Sequence, residues 1–205
     1  MTKSFPTDNE VKLQFVAALD AWIKLEHALW KLFYVLLKPI SAHRSQSLFN
    51  AINGFQAQRE AVTAIASDAI ADTAVLEALG DLQDRARGLA TKRNYLVHGR
   101  WIPFNTTRHS PNPDVLIRIY RPANFSRLFK DGDDLRSKKG RYVFFIDDMK
   151  RCQQEFSALA DDYDTLRMQI ADHLQVSPHI EIPAEGVVGP IVRMTPNSSH
   201  PQEDR

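Results

Sequence analysis

The feature that most constrains this chain is a stretch near its start that is apolar over a wide helical arc. Val11, Phe15, Ala18, Trp22, Leu25, Leu29, Leu32 and Leu36 recur at three- and four-residue steps, and a second stripe of Val16, Leu19, Ile23, Trp30, Phe33 and Leu37 runs beside them. A helix apolar over so much of its circumference has to be surrounded, which predicts a long first helix at the centre of a bundle. Asp8 is the expected N-cap and Pro39 the expected stop. Glu26 interrupts the second stripe between Ile23 and Trp30.

Three further helical regions follow from the same periodicity. Residues 45–70 carry Leu48, Phe49, Ile52, Phe55, Val62 and Ile65, with Asn53-Gly54 as a place to kink or divide. Residues 73–98 carry Leu79, Leu82, Ala86, Leu89, Arg93 and Leu96 and end at Gly99, read as a left-handed C-cap. Residues 147–174 turn Phe156, Leu159, Tyr163, Leu166 and Ile170 inward. Between the third and fourth helices the texture changes: residues 101–104, 115–120 and 141–146 cluster β-branched and aromatic residues between turn signals, and predict a small antiparallel β-insert. The charged link 121–140, with Asp131-Gly132, reads as a loop.

The expected architecture is all-α, a four-helix bundle over residues 1–175 with the insert and charged loop at 101–146, followed by a Pro-rich extended or disordered tail at 176–205. With 205 residues, 43% of them hydrophobic, the chain can bury one main core. The first nine residues lack an apolar signal region, and Lys31 and Lys38 break the most hydrophobic run, so an intracellular, cytoplasmic protein that spans no membrane is expected. Cys152 is the one cysteine, which excludes an internal disulfide and a cysteine-based zinc cluster; it reads as a small core residue.

Within the third helix lies Lys92-Arg93-Asn94-Tyr95-Leu96-Val97-His98-Gly99-Arg100-Trp101. Arg93 occupies a position on the apolar seam where a leucine belongs. A buried guanidinium costs several kcal/mol unless it is paired, on the order of the desolvation penalty of an ion. Two helices therefore carry one misplaced charge each, of opposite sign, and Glu26 and Arg93 are expected to lie near each other across the interface. The alternative places Glu26 at the edge of the arc, reaching water or pairing with Lys31 or Arg59. Asn94 and His98 lie one turn apart on one side of the helix, whereas Arg93 is about 140° from His98. The two ends of the motif meet if the last turn loosens, if the arginine bends round, or if a second copy of the helix supplies the partner, as two-fold pairing would.

The charge is unevenly spread. Residues 1–84 carry 7 Lys+Arg against 10 Asp+Glu, residues 85–151 carry 16 against 6, and residues 152–205 carry 3 against 9. A middle third of +10 is what a phosphate-binding face would look like, and also what a solvated surface or the face for an acidic protein would look like.

Arg93-Asn94-Tyr95-Leu96-Val97-His98 resembles the R-x-x-x-x-H signature of the HEPN superfamily (higher eukaryotes and prokaryotes nucleotide-binding), including the polar residue after the arginine and the glycine after the histidine. The four-helix plan with the motif late in the third helix is similar to HEPN over roughly residues 10–175. The resemblance implies a homodimer joined through the motif-bearing helix, whose paired motifs form a metal-independent endoribonuclease site without a cofactor. It also implies membership among toxins of toxin–antitoxin pairs or RNA-cutting antiviral proteins, with an antitoxin or other neutralising protein as partner. Arg93 would hold the phosphate, His98 would serve as base or acid, Asn94 would orient a phosphate oxygen or His98, and Glu26 would support Arg93.

Lys92 and Arg100 are candidate contacts to the RNA backbone, and Arg136, Lys138, Lys139 and Arg141 would guide RNA into the cleft or meet an acidic antitoxin. Tyr95 and Trp101 could stack on a base, although aromatics near a helix end more often pack. His98 has a structural reading too, as a cation on the last carbonyls of its helix. The seven histidines show no H-E-x-x-H or comparable spacing, and the chain has no Walker loop, G-x-G-x-x-G or G-x-S-x-G. A non-catalytic HEPN-like module that binds RNA or protein is the competing expectation.

Overall fold

The computed structural model describes residues 7–37, 40–104, 115–120 and 142–178. Within them the elements follow in the order α1 (Asp8–Leu36), α2 (Ala42–Ala51), α3 (Phe55–Ala69), α4 (Thr73–His98), β1 (Arg100–Phe104), β2 (Val115–Ile119), β3 (Val143–Phe144) and α5 (Ile146–His173). The chain is mainly helical, with a small antiparallel sheet inserted before the last helix. Five helices stand where four were expected among the described residues, because Asn53-Gly54 divides the second helical region. Gly54 adopts φ 92°, a left-handed value that side chains disfavour, and α3 starts directly after it. Pro39, the link 121–141 and the tail from 179 lie outside the described residues.

The start of α1 corrects one expectation. Thr7, not Asp8, is the N-cap: its hydroxyl accepts from the Glu10 amide at 3.3 Å while the Glu10 carboxylate accepts from the Thr7 amide at 2.6 Å. Thr-x-x-Glu permits this reciprocal pair, which Asp8 cannot form. The first apolar stripe is buried as expected, Val11, Ala18, Trp22, Leu25, Leu29, Leu32 and Leu36 all lying in the core. The second stripe divides. Trp30 and Phe33 are buried, but Val16 is 58% and Ile23 61% exposed. The covering elements α2 and α3 reach α1 from Trp22 onward, through Phe55 on the Trp22 ring at 4.7 Å and Phe49 on Phe33 at 5.2 Å.

α5 packs along α1 in the same direction, as Gln14–Gln153, Trp22–Phe156 and Lys31–Asp164 show in sequence. It runs against α4, where Arg85 meets Asp162 and Lys92 meets Glu155. Phe156, Leu159, Tyr163, Leu166 and Ile170 all face the core, as their spacing predicts. The sheet order is β1-β2-β3, with Arg100 opposite Ile119, Ile102 opposite Ile117, and Ile119 opposite Val143. Ile117, Ile119, Tyr142 and Val143 form a satellite cluster against Tyr95, so the insert is seated on the end of the motif helix.

Candidate functional site

α4 carries the motif between two well-tied ends. Asp72 caps its start by accepting from the Ala74 amide at 2.9 Å. Its C-terminal end is held by Arg118 from β2, which donates to the Leu96 carbonyl through Nε and to the Val97 carbonyl at 2.7 Å through Nη2. The same guanidinium lies 4.4 Å from the Phe15 ring and 4.9 Å from Trp101. The last carbonyls of a helix have no partner within it, so a fork-shaped cation there satisfies two of them and complements the helix dipole. Burial lowers the Arg118 pKa from its ordinary value.

Gly99 ends the helix differently from expectation. Its φ is −67° and ψ 165°, extended rather than left-handed. A Cβ there would lie 2.9 Å from the Arg118 Cγ, 3.0 Å from the Tyr95 carbonyl oxygen and 3.1 Å from that of Ile119. Glycine is required by close approach of the β-insert and not by backbone sign.

Arg93 is half-buried, with its guanidinium carbon 5.8 Å from the centre of the Trp22 ring and Nη1 donating to the Asn94 Oδ1 at 3.2 Å. Its Nε is buried without a hydrogen-bond partner. Glu26 accepts from the Trp22 indole N–H at 2.6 Å. The expected direct pairing of Glu26 with Arg93 is not formed; both line one cavity of about 800 Å³, and Trp22 stands between them, bonded to one and stacked under the other. The indole offers a donor to the carboxylate four residues on, and its π-face offers the arginine a negative surface, so each charge is accommodated without an ion pair. Glu26 takes neither Lys31, which pairs with Asp164 at 3.2 Å, nor Arg59, which donates to the Gln83 carbonyl at 2.5 Å.

The motif's two ends do not share a site within one chain. Arg93 and Asn94 border the cavity, and His98 is exposed beyond it. Arg87, Thr91, Asn94 and His98 succeed one another at three- and four-residue steps and all face solvent.

The other singled-out residues divide by what holds them. Tyr95 stacks on Tyr120 at 4.4 Å and meets Tyr142 at 5.3 Å, so its ring is a packing element. Trp101 meets Phe15 edge-on at 5.4 Å. Lys92 is ion-paired to Glu155 at 2.6 Å, and Arg100 is exposed. Arg136, Lys138, Lys139 and Arg141 lie outside the described residues. The basic middle third does not make a free cationic face from its described part. Arg85, Arg87, Lys92, Lys150 and Arg151 each have a carboxylate, from Asp162, Asp84, Glu155, Asp147 and Asp148, while Arg118 is spent on carbonyls. Among the described residues of that segment, Arg93 and Arg100 are the cations with neither a carboxylate nor a helix-end carbonyl as partner.

Among the residues that sequence reasoning missed, Arg118 was visible only as a charge inside an Ile-rich strand, Leu116-Ile117-Arg118-Ile119. Trp22 appeared as core. His27 also lines the cavity, its ring lying on that of Trp30 at 5.0 Å and 8°. Desolvation and then the Lys31 charge hold its pKa below the ordinary imidazole value, with Asp164 opposing. Cys152 is buried, and desolvation raises its thiol to about 11. Among the described residues no cluster of three His, Cys, Asp or Glu is placed to hold a metal ion, and no helix is long and apolar enough to cross a membrane. Comparison with protein-family models, curated proteins and solved structures finds no match to this chain.

Proposed function

We propose that this chain is a HEPN-like, metal-independent endoribonuclease whose site is completed by a second copy of itself, in the manner of toxin or antiviral ribonucleases. The observation that carries the reading is the state of the motif. Arg93 is a guanidinium with no carboxylate among the described residues, held on a tryptophan face, and His98 is an exposed imidazole at a helix end where Arg118 already takes the Leu96 and Val97 carbonyls. The structural explanation for His98, service to its own helix end, is thereby weakened, since another residue performs it.

A composite site suits this arrangement. Arg93 and His98 point to different sides of α4, and a two-fold axis beside the exposed stripe Arg87, Thr91, Asn94 and His98 brings two histidines and two arginines to one cleft. The neighbouring face of α1 leaves Val16 and Ile23 uncovered, apolar surface that a partner copy would bury. In that cleft one His98 takes the proton from the RNA 2′-hydroxyl as it attacks phosphorus, and the other protonates the departing 5′-oxygen. Arg93 stabilises the charge that builds on the phosphoryl oxygens, and Asn94, already hydrogen-bonded to Arg93, orients it. The products are a 2′,3′-cyclic phosphate and a 5′-hydroxyl. No step needs a metal.

One observation favours a non-catalytic module that binds protein: Lys92 and Tyr95 are engaged within the chain, which removes two of the expected RNA contacts. Cleavage of a mixed RNA pool in EDTA by the wild type, Arg93→Ala and His98→Ala, each verified as folded and dimeric, separates the two. The nuclease reading expects cyclic-phosphate ends from the wild type and loss of cutting in both variants. An inert wild type, variants that cut equally well, or a strictly monomeric protein rejects it.

A further inference from the structure

We propose that the cavity among α1, α2, α3 and α4 is a binding site for a small organic anion, an oxyanion carried on a planar ring. Its volume of about 800 Å³ lies within the range of small-ligand pockets, about 300–1,000 Å³. The rings of Trp22, Trp30 and Phe49 back its walls, that of Phe55 is half-buried, and the charged groups among them are unbalanced.

Among the described residues that line it, cations outnumber carboxylates. Arg59, Arg87 and Arg93 all line the cavity, against Glu26 as its one carboxylate, and that carboxylate already accepts from Trp22. Arg87 has Asp84 at 2.7 Å, but among the described residues no carboxylate pairs with Arg59 or Arg93. Arg59 is 7% exposed; Nη1 reaches the Gln83 carbonyl, and Nε is buried with no acceptor. Trp30, 4% exposed, leaves its indole N–H unpartnered, as does the Nε of Arg93. A guanidinium has five N–H donors and cannot shed its proton, so a buried arginine without a carboxylate is a standing demand for oxygen acceptors. The matching ligand brings those oxygens in an anionic group.

The ring requirement comes from the same residues. The Arg59 guanidinium lies 5.7 Å from the Phe55 ring and that of Arg93 5.8 Å from Trp22, while His27 is flat against Trp30. Trp22 and Trp30 are already faced by Arg93 and His27, so the ring surface left to a guest is that of His27 and Phe55, and cations beside it favour a planar, negatively charged guest over a flexible or neutral one. A carboxylate, sulfonate or phosphate satisfies the same donors. The inference goes beyond the nuclease reading; it shares Arg93 and Asn94 with that reading, while Arg59 and Trp30 belong to the cavity alone and His98 has no part in it.

The test is a fluorescence titration of the full-length protein with 8-anilinonaphthalene-1-sulfonate, against N-phenyl-1-naphthylamine, which has the same rings without the anion, and against inorganic phosphate, which has no ring. The expected result is saturable binding at one site that changes the emission of Trp22 and Trp30, with each control at least about tenfold weaker. Arg59→Gln is expected to weaken the sulfonate by about tenfold or more. Because Arg59 also ties down Gln83, Arg87→Glu serves as a second variant; its side chain is exposed at the rim, and a reversed charge there should weaken binding about threefold or more without touching the core. His98→Ala should bind the probe as the wild type does, whatever happens to RNA cleavage. Absence of saturable binding, a neutral ring or bare phosphate that binds equally well, or Arg87→Glu binding at wild-type strength overturns the proposal.

Discussion

Replacing Arg118 by methionine isolates what holds the motif helix to the sheet. The side chain is 8% exposed and donates to two helix-end carbonyls, so its removal leaves the Leu96 and Val97 oxygens without their partner. Hydrogen bonds from a charged donor are each worth about 1.5–3 kcal/mol, so loss of both sets an upper range of about 3–6 kcal/mol. Two effects act against that figure. Methionine retains apolar contact with Phe15 and Trp101, and the desolvation cost of a buried guanidinium, several kcal/mol on the order of an isolated ion's, disappears. We expect a net destabilisation of about 3 kcal/mol, which for a chain of this size is a fall in midpoint of about 6–12 °C. Urea denaturation followed by circular dichroism measures the total. Amide hydrogen exchange shows where it acts: protection should fall in the last turn of α4 and in β1 and β2, while α1 and α5 keep theirs. Arg118→Lys should restore less than half, because an ammonium cannot span two carbonyls as the fork does. A methionine variant within about 0.5 kcal/mol of wild type, or exchange that rises uniformly, would refute the clamp.

Gly99→Asn distinguishes close approach from a left-handed cap. Asparagine tolerates positive φ, so a left-handed cap would accept it, whereas crowding by the Tyr95 and Ile119 oxygens should cost about 1–3 kcal/mol in urea unfolding. Cys152 should react with a thiol reagent only at the rate of local opening near pH 8, where the buried thiol is protonated. The fold raises this pKa from 9.0 to about 11, so the associated stability is whole below pH 9 and declines as pH rises through about 11. The loss is about 2–3 kcal/mol, read from unfolding midpoints against Cys152→Ala; equal pH profiles would contradict it. Glu155→Gln removes the partner of Lys92 at a site where both side chains are 34% exposed, and solvent screening should hold the change to about 1 kcal/mol or less in the same assay.

What the sequence by itself determined are the features whose causes are local. The bounds of α4 could be read because Asp72, the apolar period and Gly99 all lie within or beside it, and the three strands because β-branched residues and turn formers alternate over a few positions. The break at Asn53-Gly54 was visible for the same reason, and the Thr7–Glu10 cap was there to be found in a four-residue pattern. Partner choice was not local. Glu26 and Arg93 appeared as a charge pair because each was misplaced on its own helix, yet the ring that lies between them decided the outcome. Val16 and Ile23 share a stripe with Trp30 and Phe33, and only the reach of α2 and α3 determined which of them is covered. The basic middle third is a property of chain order, whereas Asp162 and Glu155 come from the last helix and cancel part of it in space. Arg118, far from α4 in sequence, ties its last turn because the insert folds back on it. Helical and strand periods are set by backbone geometry that neighbouring residues share, while the neutralising of a charge or the covering of a face depends on which distant segments tertiary packing brings into contact.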